Sequence, residues 1–357
     1  MLDPSSSRFV RMIVEAGRKN IPLDVSLELT HHCNFRCQHC YIPDFSAPDQ
    51  LSTERVLRLL DELVEMGTLY LTLTGGELFL RKDWYTIARR ARELGFRLRL
   101  FSNASLIDEE IADRIVTLHC PVEISLYSVD EEVFERVTQR KGSFRKTIRG
   151  IELLREREVE VLLKVPMMTI NYQGVEEVFD YARRIGAECR ADSKIVGKKD
   201  GDVVTIGLRV SEEDLLPFYR GPHHTACSIP DEYSDDPEKE GPMCAAANRF
   251  CSITSSGDVM ACTILPGSDG NIRERSFRDV WENSEWLNKI RAIRRKDIAV
   301  CNSCPKHSYC GRCHAQALVE DGDLMGPSSW ACNHAETLER AFGKEPAPKA
   351  ASAGRRD

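Results

Sequence analysis

From residue 24 to residue 195 the sequence repeats one pattern, a short apolar run followed by a longer amphipathic stretch. The strand-like runs are 25–30, 70–74, 97–101, 121–126, 160–167 and 188–192, and the helix-like stretches include 53–66, 83–94, 108–117, 143–157 and 174–185. Ser52 or Thr53 and Asp108 are suited to cap helix starts, and Gly67, Gly95 and Gly186 stand just past helix ends. Strands separated by helices pair in parallel, because only a crossover of about a dozen residues or more brings the chain back in the same direction. Six such units fall short of the eight that close a barrel. The expectation is therefore an α/β fold with an open, partial (β/α)6 TIM-like barrel over residues 24–196.

Several of these strands carry polar residues at alternate positions. Ser26, Glu28 and Thr30 share one face, as do Glu123, Ser125 and Tyr127, and Lys164 interrupts an apolar run. Taken singly, each fits an edge strand or a strand end. Together they suggest a polar lumen, with functional groups at the C-terminal ends of the strands.

Directly after the first strand the chain reads Cys33-x3-Cys37-x2-Cys40. Three thiolates on one short loop can hold three corners of a 4Fe–4S cube and leave one iron open for chemistry. Zinc is the alternative, with His31, His32 or His39 as a fourth ligand. The chain has fourteen cysteines and no secretion signal, which points to metal binding in a reducing compartment and hence to the cytoplasm. A net charge of −7 argues against nucleic acid, and no stretch is long and apolar enough for a membrane span.

The second strand runs straight into Gly75-Gly76-Glu77. A cysteine loop after one strand and Gly-Gly-Glu after the next resemble the radical S-adenosylmethionine (SAM) enzymes, over roughly residues 22–335. The resemblance implies that the open iron of the Cys33/Cys37/Cys40 cluster binds the amino and carboxylate groups of SAM. Reductive cleavage there gives a 5′-deoxyadenosyl radical that removes hydrogen from a substrate C–H bond. It further implies that Gly75 and Gly76 let the backbone approach the SAM amine, and that Glu77 accepts a hydrogen bond from it. Asn103, Ser125, Lys164 and Asn171 become candidates for other SAM contacts, and His39 takes the position beside the adenine.

From residue 197 to 243 the alternation stops, and this stretch reads as a bridging segment. A second cysteine set follows. Cys244, Cys251 and Cys262 bracket a hairpin turning at Gly257-Asp258, and Cys301, Cys304, Cys310, Cys313 and Cys332 come later. A pair of zinc sites is one reading. The pattern also resembles the SPASM domain that follows the barrel in many radical SAM enzymes, although Cys310 and Cys313 are one residue closer than is frequent. This places a small cysteine-rich SPASM domain at 244–335, between the bridge and a tail at 336–357 that reads as disordered; residues 1–23 form an N-terminal segment. The family's crossed ligation implies one auxiliary 4Fe–4S cluster on Cys244, Cys251, Cys262 and Cys313, and another on Cys301, Cys304, Cys310 and Cys332. With the SAM-binding cluster that makes three.

Most enzymes of this design mature ribosomally made peptides by cross-linking. The implied partners are a peptide substrate, an electron donor such as flavodoxin or ferredoxin, and a separate leader-recognition protein, since 1–23 is too short for a winged-helix domain. Thr263 after Cys262 replaces the Asp expected of sulfatase maturases. Cys310-Gly311-Arg312-Cys313 matches enzymes that modify tetrapyrrole side chains, which is the second reading. Peptide epimerisation is a third, with Cys227 as hydrogen donor. A non-catalytic iron–sulfur electron carrier is the reading from another class, and it has no use for Gly-Gly-Glu or a polar lumen. Cys120 and Cys189 read as small core residues.

Overall fold

A computed structural model describes residues 8–222 and 242–343. Its centre is one sheet of eight strands: β1 Asp24–Glu28, β2 Tyr70–Thr74, β3 Arg97–Ser102, β4 Val122–Ser125, β5 Val161–Pro166, β6 Glu188–Asp192, β7 Phe250–Ile253 and β8 Val259–Met260. The order across the sheet is β6-β5-β4-β3-β2-β1-β7-β8. All pairings are parallel except the β7–β8 hairpin. The six strands expected from the sequence are present, each within two residues of its expected ends.

The sheet's two faces follow from alternation. Val25, Leu27, Leu71, Leu73, Leu98 and Leu100 are fully or almost fully buried on the side covered by helices. The helix Thr53–Glu65 brings Val56, Leu59, Leu60 and Leu63 to that core, at the i, i+3, i+4, i+7 spacing of one helix face. Burial of each such side chain contributes about 1.5–3 kcal/mol. Ser52 caps this helix by accepting from the amide of Arg55, and Asp108 caps Glu109–Leu118 by accepting from Ile111. Gly67 stops the first of these helices with φ +84°, a conformation open to glycine at no steric cost.

Three features differ from the sequence expectation. The helix Glu131–Thr138, between β4 and the helix Ser143–Glu156, buries only Phe134, Val137 and Thr138, so its periodic signal is slight. Residue 336 is not where the tail begins. The helix Ser329–Phe342 runs through it, because Ala331, Ala335 and Leu338 continue one buried face that packs near the helix Glu212–Arg220; Arg340 also bonds Glu213 at 2.7 Å. Finally, the cysteine-rich region shares the barrel's sheet. β7 pairs with β1 along Asp24↔Phe250 to Leu27↔Ile253. Among the described residues no helix is long and apolar enough to cross a membrane.

Candidate active site

The cysteine loop leaves the end of β1 and is pinned at once to the Gly-Gly-Glu turn. Gly76 N donates to Thr30 O and Glu77 N to His32 O, both at 2.8 Å. A Cβ on Gly75 would stand 2.5 Å from Thr30 O, and one on Gly76 2.3 Å from His32 O. In this structure the glycines are thus required first by the close approach of two backbones. Sequence reasoning had assigned them to contact with SAM alone.

The loop gathers its three thiols. Cys37 Sγ lies 3.5 Å from Tyr127 Oη, and Cys33 Sγ accepts from the amide of Phe35 at 3.4 Å. Burial pushes the Cys33 thiol up to about 11 and Cys37 to about 12, and each of the two is raised further by Cys40. Burial likewise raises Cys40. Three half-buried thiols close enough to repel one another as thiolates need a positive centre to become ligands, as a cluster supplies. Among the described residues no three His, Cys, Asp or Glu side chains converge tightly enough for one metal ion; thiols serving separate corners of a cube stand further apart than ligands of a single ion. The donor set fits the iron–sulfur cluster.

Glu77 is almost fully buried, and burial raises its pKa. Its Oε1 accepts from Ser102 Oγ at 2.7 Å and from Phe79 N at 3.2 Å, and Oε2 from Asn103 N at 2.8 Å. A carboxylate accepts about four hydrogen bonds, and three of those of Glu77 are supplied from within the chain. Asn103 is turned toward the cysteine loop, donating to Asn34 Oδ1 at 2.9 Å and accepting from Ser105. It therefore positions that loop.

The remaining SAM candidates separate by what they touch. His39 is held neutral by burial, its pKa lowered to about 4, and its ring packs edge-on against Tyr127 at 5.1 Å. Its buried Nδ1 has no partner among the described residues, which fits a bound group at that point. Ser125 stands on the lumen face of β4, half-buried, close enough to influence the Tyr127 hydroxyl. Lys164 is engaged elsewhere, 2.6 Å from Glu123 and over the Phe101 ring at 3.7 Å. Asn171 uses its amide on backbone, accepting from Met168 N and donating to Tyr127 O and Pro166 O. Cys227 lies outside the described residues.

Sequence reasoning missed a cluster at the mouth. Glu28, at the end of β1, is fully buried and holds the ammonium of Lys199, with His31 Nε2 3.7 Å from its other oxygen. Burial opposes the Glu28 charge, yet Lys199 and His31 hold its pKa below the usual value. Lys199 N also donates to Tyr41 O at 3.0 Å, so the segment after β6 folds back onto the cysteine loop. Lys199 sits in a polar run, and nothing in that run marks it.

The later cysteines form two neighbourhoods. Cys301 lies within electrostatic reach of Cys304, Cys310 of Cys332 and Cys301, and Cys332 of Cys301 and Cys304. Cys244 lies within reach of Cys262 and Cys313, Cys262 of Cys313, and Lys194 hydrogen-bonds Cys313. Arg312 is buried between the sets and feels Cys301 and Cys310 from one, Cys313 and Cys244 from the other. Its guanidinium is held by Leu324 O at 2.6 Å and Gly326 O at 2.6 and 2.9 Å, with His314 Nδ1 at 2.8 Å. Cys251 stands apart, fully buried within β7. Cys120 is buried in the core, as expected.

Residues 27–185 match the Radical SAM superfamily, and residues 244–305 match the SPASM iron-sulfur cluster-binding domain. The chain belongs to the radical SAM enzymes that carry a SPASM iron–sulfur domain. It is 27% identical over 332 residues to the AdoMet-dependent heme synthase of Methanosarcina barkeri, covering 86% of this chain and 95% of that one. It is also 27% identical to the antilisterial bacteriocin subtilosin biosynthesis protein AlbA of Bacillus subtilis, covering 89% of this chain and 73% of that one. In fold it resembles Streptococcus suis SuiB bound to precursor peptide SuiA, with a TM-score of 0.70 at 17% identity, over 91% of this chain and 80% of that one. SAM and iron–sulfur clusters are accordingly its cofactors; when bound, they supply one-electron cleavage chemistry for abstracting a hydrogen atom.

Proposed function

We propose that this enzyme abstracts hydrogen from a C–H bond of a ribosomally made peptide and installs a cross-link, with three 4Fe–4S clusters and a flavodoxin- or ferredoxin-type donor. The observation that carries this reading is that three cations on the lumen face of the sheet and at its mouth are already paired with carboxylates. Arg99 is bonded to Asp24 at 2.9 Å, Lys164 to Glu123 at 2.6 Å, and Lys199 to Glu28. Each of these three cations is matched by a carboxylate. Cations paired in this way suit a polypeptide, whose backbone is neutral. A macrocycle bearing several carboxylates would require cations not already paired. The relation to the subtilosin biosynthesis protein AlbA supports the same reading.

A second reading, tetrapyrrole side-chain modification, is favoured by the alignment over 95% of a heme synthase. Anaerobic co-expression with a small peptide encoded beside the gene separates the two. Loss of two hydrogens from the intact peptide mass supports cross-linking. An unchanged mass with deuterium uptake from solvent indicates epimerisation. If neither changes while a carboxylated tetrapyrrole is consumed with SAM cleavage, the second reading replaces the first.

A further inference from the structure

β6 lies at one edge of the sheet, with four strands between it and β1, yet the chain leaving it comes back to the end of β1. It is anchored on the way. Ile195 O accepts from Arg209 Nε at 2.8 Å, and Val196 O from Thr205 Oγ1 at 2.6 Å. A tight turn follows, in which Lys198 N donates to Asp202 O at 2.7 Å and Gly201 N to Lys198 O at 3.0 Å. Lys198 spends its ammonium inside this turn, 2.7 Å from Asp202 Oδ2. Lys199 is the lysine turned inward, its side chain only 12% exposed.

Lys199 meets the first strand and the cysteine loop together. Its amide donates to Tyr41 O at 3.0 Å, its ammonium stands 5.2 Å from the centre of the Tyr41 ring, and the same ammonium bonds the fully buried Glu28. Tyr41 directly follows Cys40, and Glu28 ends the strand that leads into the loop. One side chain thus joins the start of the loop, its last cysteine's neighbour and the segment after β6. Burial weighs most on the Cys40 thiol; among the charged groups around it, Lys199 favours the thiolate, Glu28 opposes it, and Lys198 favours it less strongly. The ammonium and the carboxylate therefore act on the same sulfur with opposite sign. Groups just outside the ligand shell tune a metal centre, and removing one partner of a buried pair leaves the other's charge uncompensated.

We propose that Lys199 is a positioning residue for the SAM-binding cluster: paired with Glu28, it clamps the segment after β6 onto the cysteine loop and keeps the Glu28 carboxylate from making the cluster harder to reduce. The reaction starts with an electron delivered to that cluster, so a bare carboxylate beside Cys40 would oppose its first step. The inference rests on a cluster held by Cys33, Cys37 and Cys40 and is independent of what the substrate is.

The test is a redox titration of the full, cluster-loaded chain followed by electron paramagnetic resonance (EPR), reading the signal that Cys33→Ala removes. Iron counts equal to the parent's establish first that each variant loads. Lys199→Met should lower the midpoint by about 59 mV, a tenfold loss in the reduced fraction of a one-electron couple, and Glu28→Gln should raise it by a similar amount. The double variant should return to within about twofold of the parent's reduced fraction. Mere loosening of the loop would move both single variants the same way. Unmoved midpoints, or shifts of one sign in both, overturn the proposal. Amide hydrogen exchange across 198–202 reads the clamp separately: it should quicken about tenfold in Lys199→Met, and unchanged exchange would refute the clamp. Should Lys199→Met fail to load iron, Lys199→Arg, which keeps the charge, should load and titrate as the parent does. Glu28→Gln then carries the test alone, and a midpoint that does not rise overturns the proposal.

Discussion

Replacing Gly76 by alanine tests whether the Gly-Gly-Glu turn is built to dock against the cysteine loop. The added Cβ would meet His32 O at 2.3 Å, His31 O at 2.5 Å and the His32 carbonyl carbon at 2.7 Å. These are backbone atoms and cannot swing aside, so the two loops must part by about 1 Å to restore ordinary contact. Parting at that point breaks the bonds from Gly76 N to Thr30 O and from Glu77 N to His32 O. Each contributes about 0.5–1.5 kcal/mol net, and forcing an extra methyl into a packed site costs about 1–3 kcal/mol. The expected destabilisation is about 2–4 kcal/mol. In a chain of this size that lowers the melting midpoint by roughly 3–5 °C. Thermal unfolding of the metal-free, reduced protein followed by circular dichroism reads it directly. Gly207→Ala is the control, since Gly207 has an ordinary backbone and nothing within 4 Å of its added methyl. If Gly76→Ala melts within about 1 °C of the control, loop docking does not explain the glycine.

Cys33→Ala should abolish SAM cleavage and remove one cluster's iron, whereas Cys301→Ala should retain some cleavage but form no product; product from the Cys301 variant would end its auxiliary role. Lys194→Met should make one auxiliary cluster harder to reduce and Arg312→Met both, because each removes a cation beside the sulfurs. The shift should be on the order of 60 mV, a tenfold change in the reduced fraction, and EPR-monitored redox titration with unmoved midpoints would refute it. Burial raises the Asp83 pKa, but hydrogen bonds from Arg81 and Thr53 outweigh it and hold the carboxyl below its usual value. The stability Asp83 adds is therefore present above the ordinary carboxylate range and lost as pH falls through its folded pKa. The gap in urea midpoint between wild type and Asp83→Asn should narrow from pH 7 to pH 3, and a constant gap would contradict the assignment.

The strands and most barrel helices were legible because period two and period 3.6 are written directly into apolar spacing. The cysteine loop and Gly-Gly-Glu were legible as a pair, since each is short and follows a strand. What escaped depends on long-range pairing. The orientation of Cys251 is set by the register of β7 on β1, more than 200 residues away in sequence, and cysteine spacing is silent on it. Lys199 reaches Glu28 only because the segment after β6 folds back over the mouth. Asn103 and Lys164 were placed correctly on strand ends and the lumen face, but their partners, Asn34 and Glu123, were not evident in the sequence.

The ladder between β7 and β1 bears on how this enzyme can be taken apart. β1 leads into the SAM-cluster loop, and β7 lies between the auxiliary cysteines 244 and 262. The relative placement of the two cluster-bearing regions is thus fixed by four consecutive paired residues in a shared sheet. Cutting the chain ahead of residue 244 would strip β1 of its neighbour and leave a bare parallel edge, the kind of surface that recruits other chains. Chimeras that exchange the cysteine-rich region between relatives should therefore carry β7 together with a β1 that matches it. A junction placed between the two by domain boundaries alone is expected to yield aggregates whatever the quality of either half.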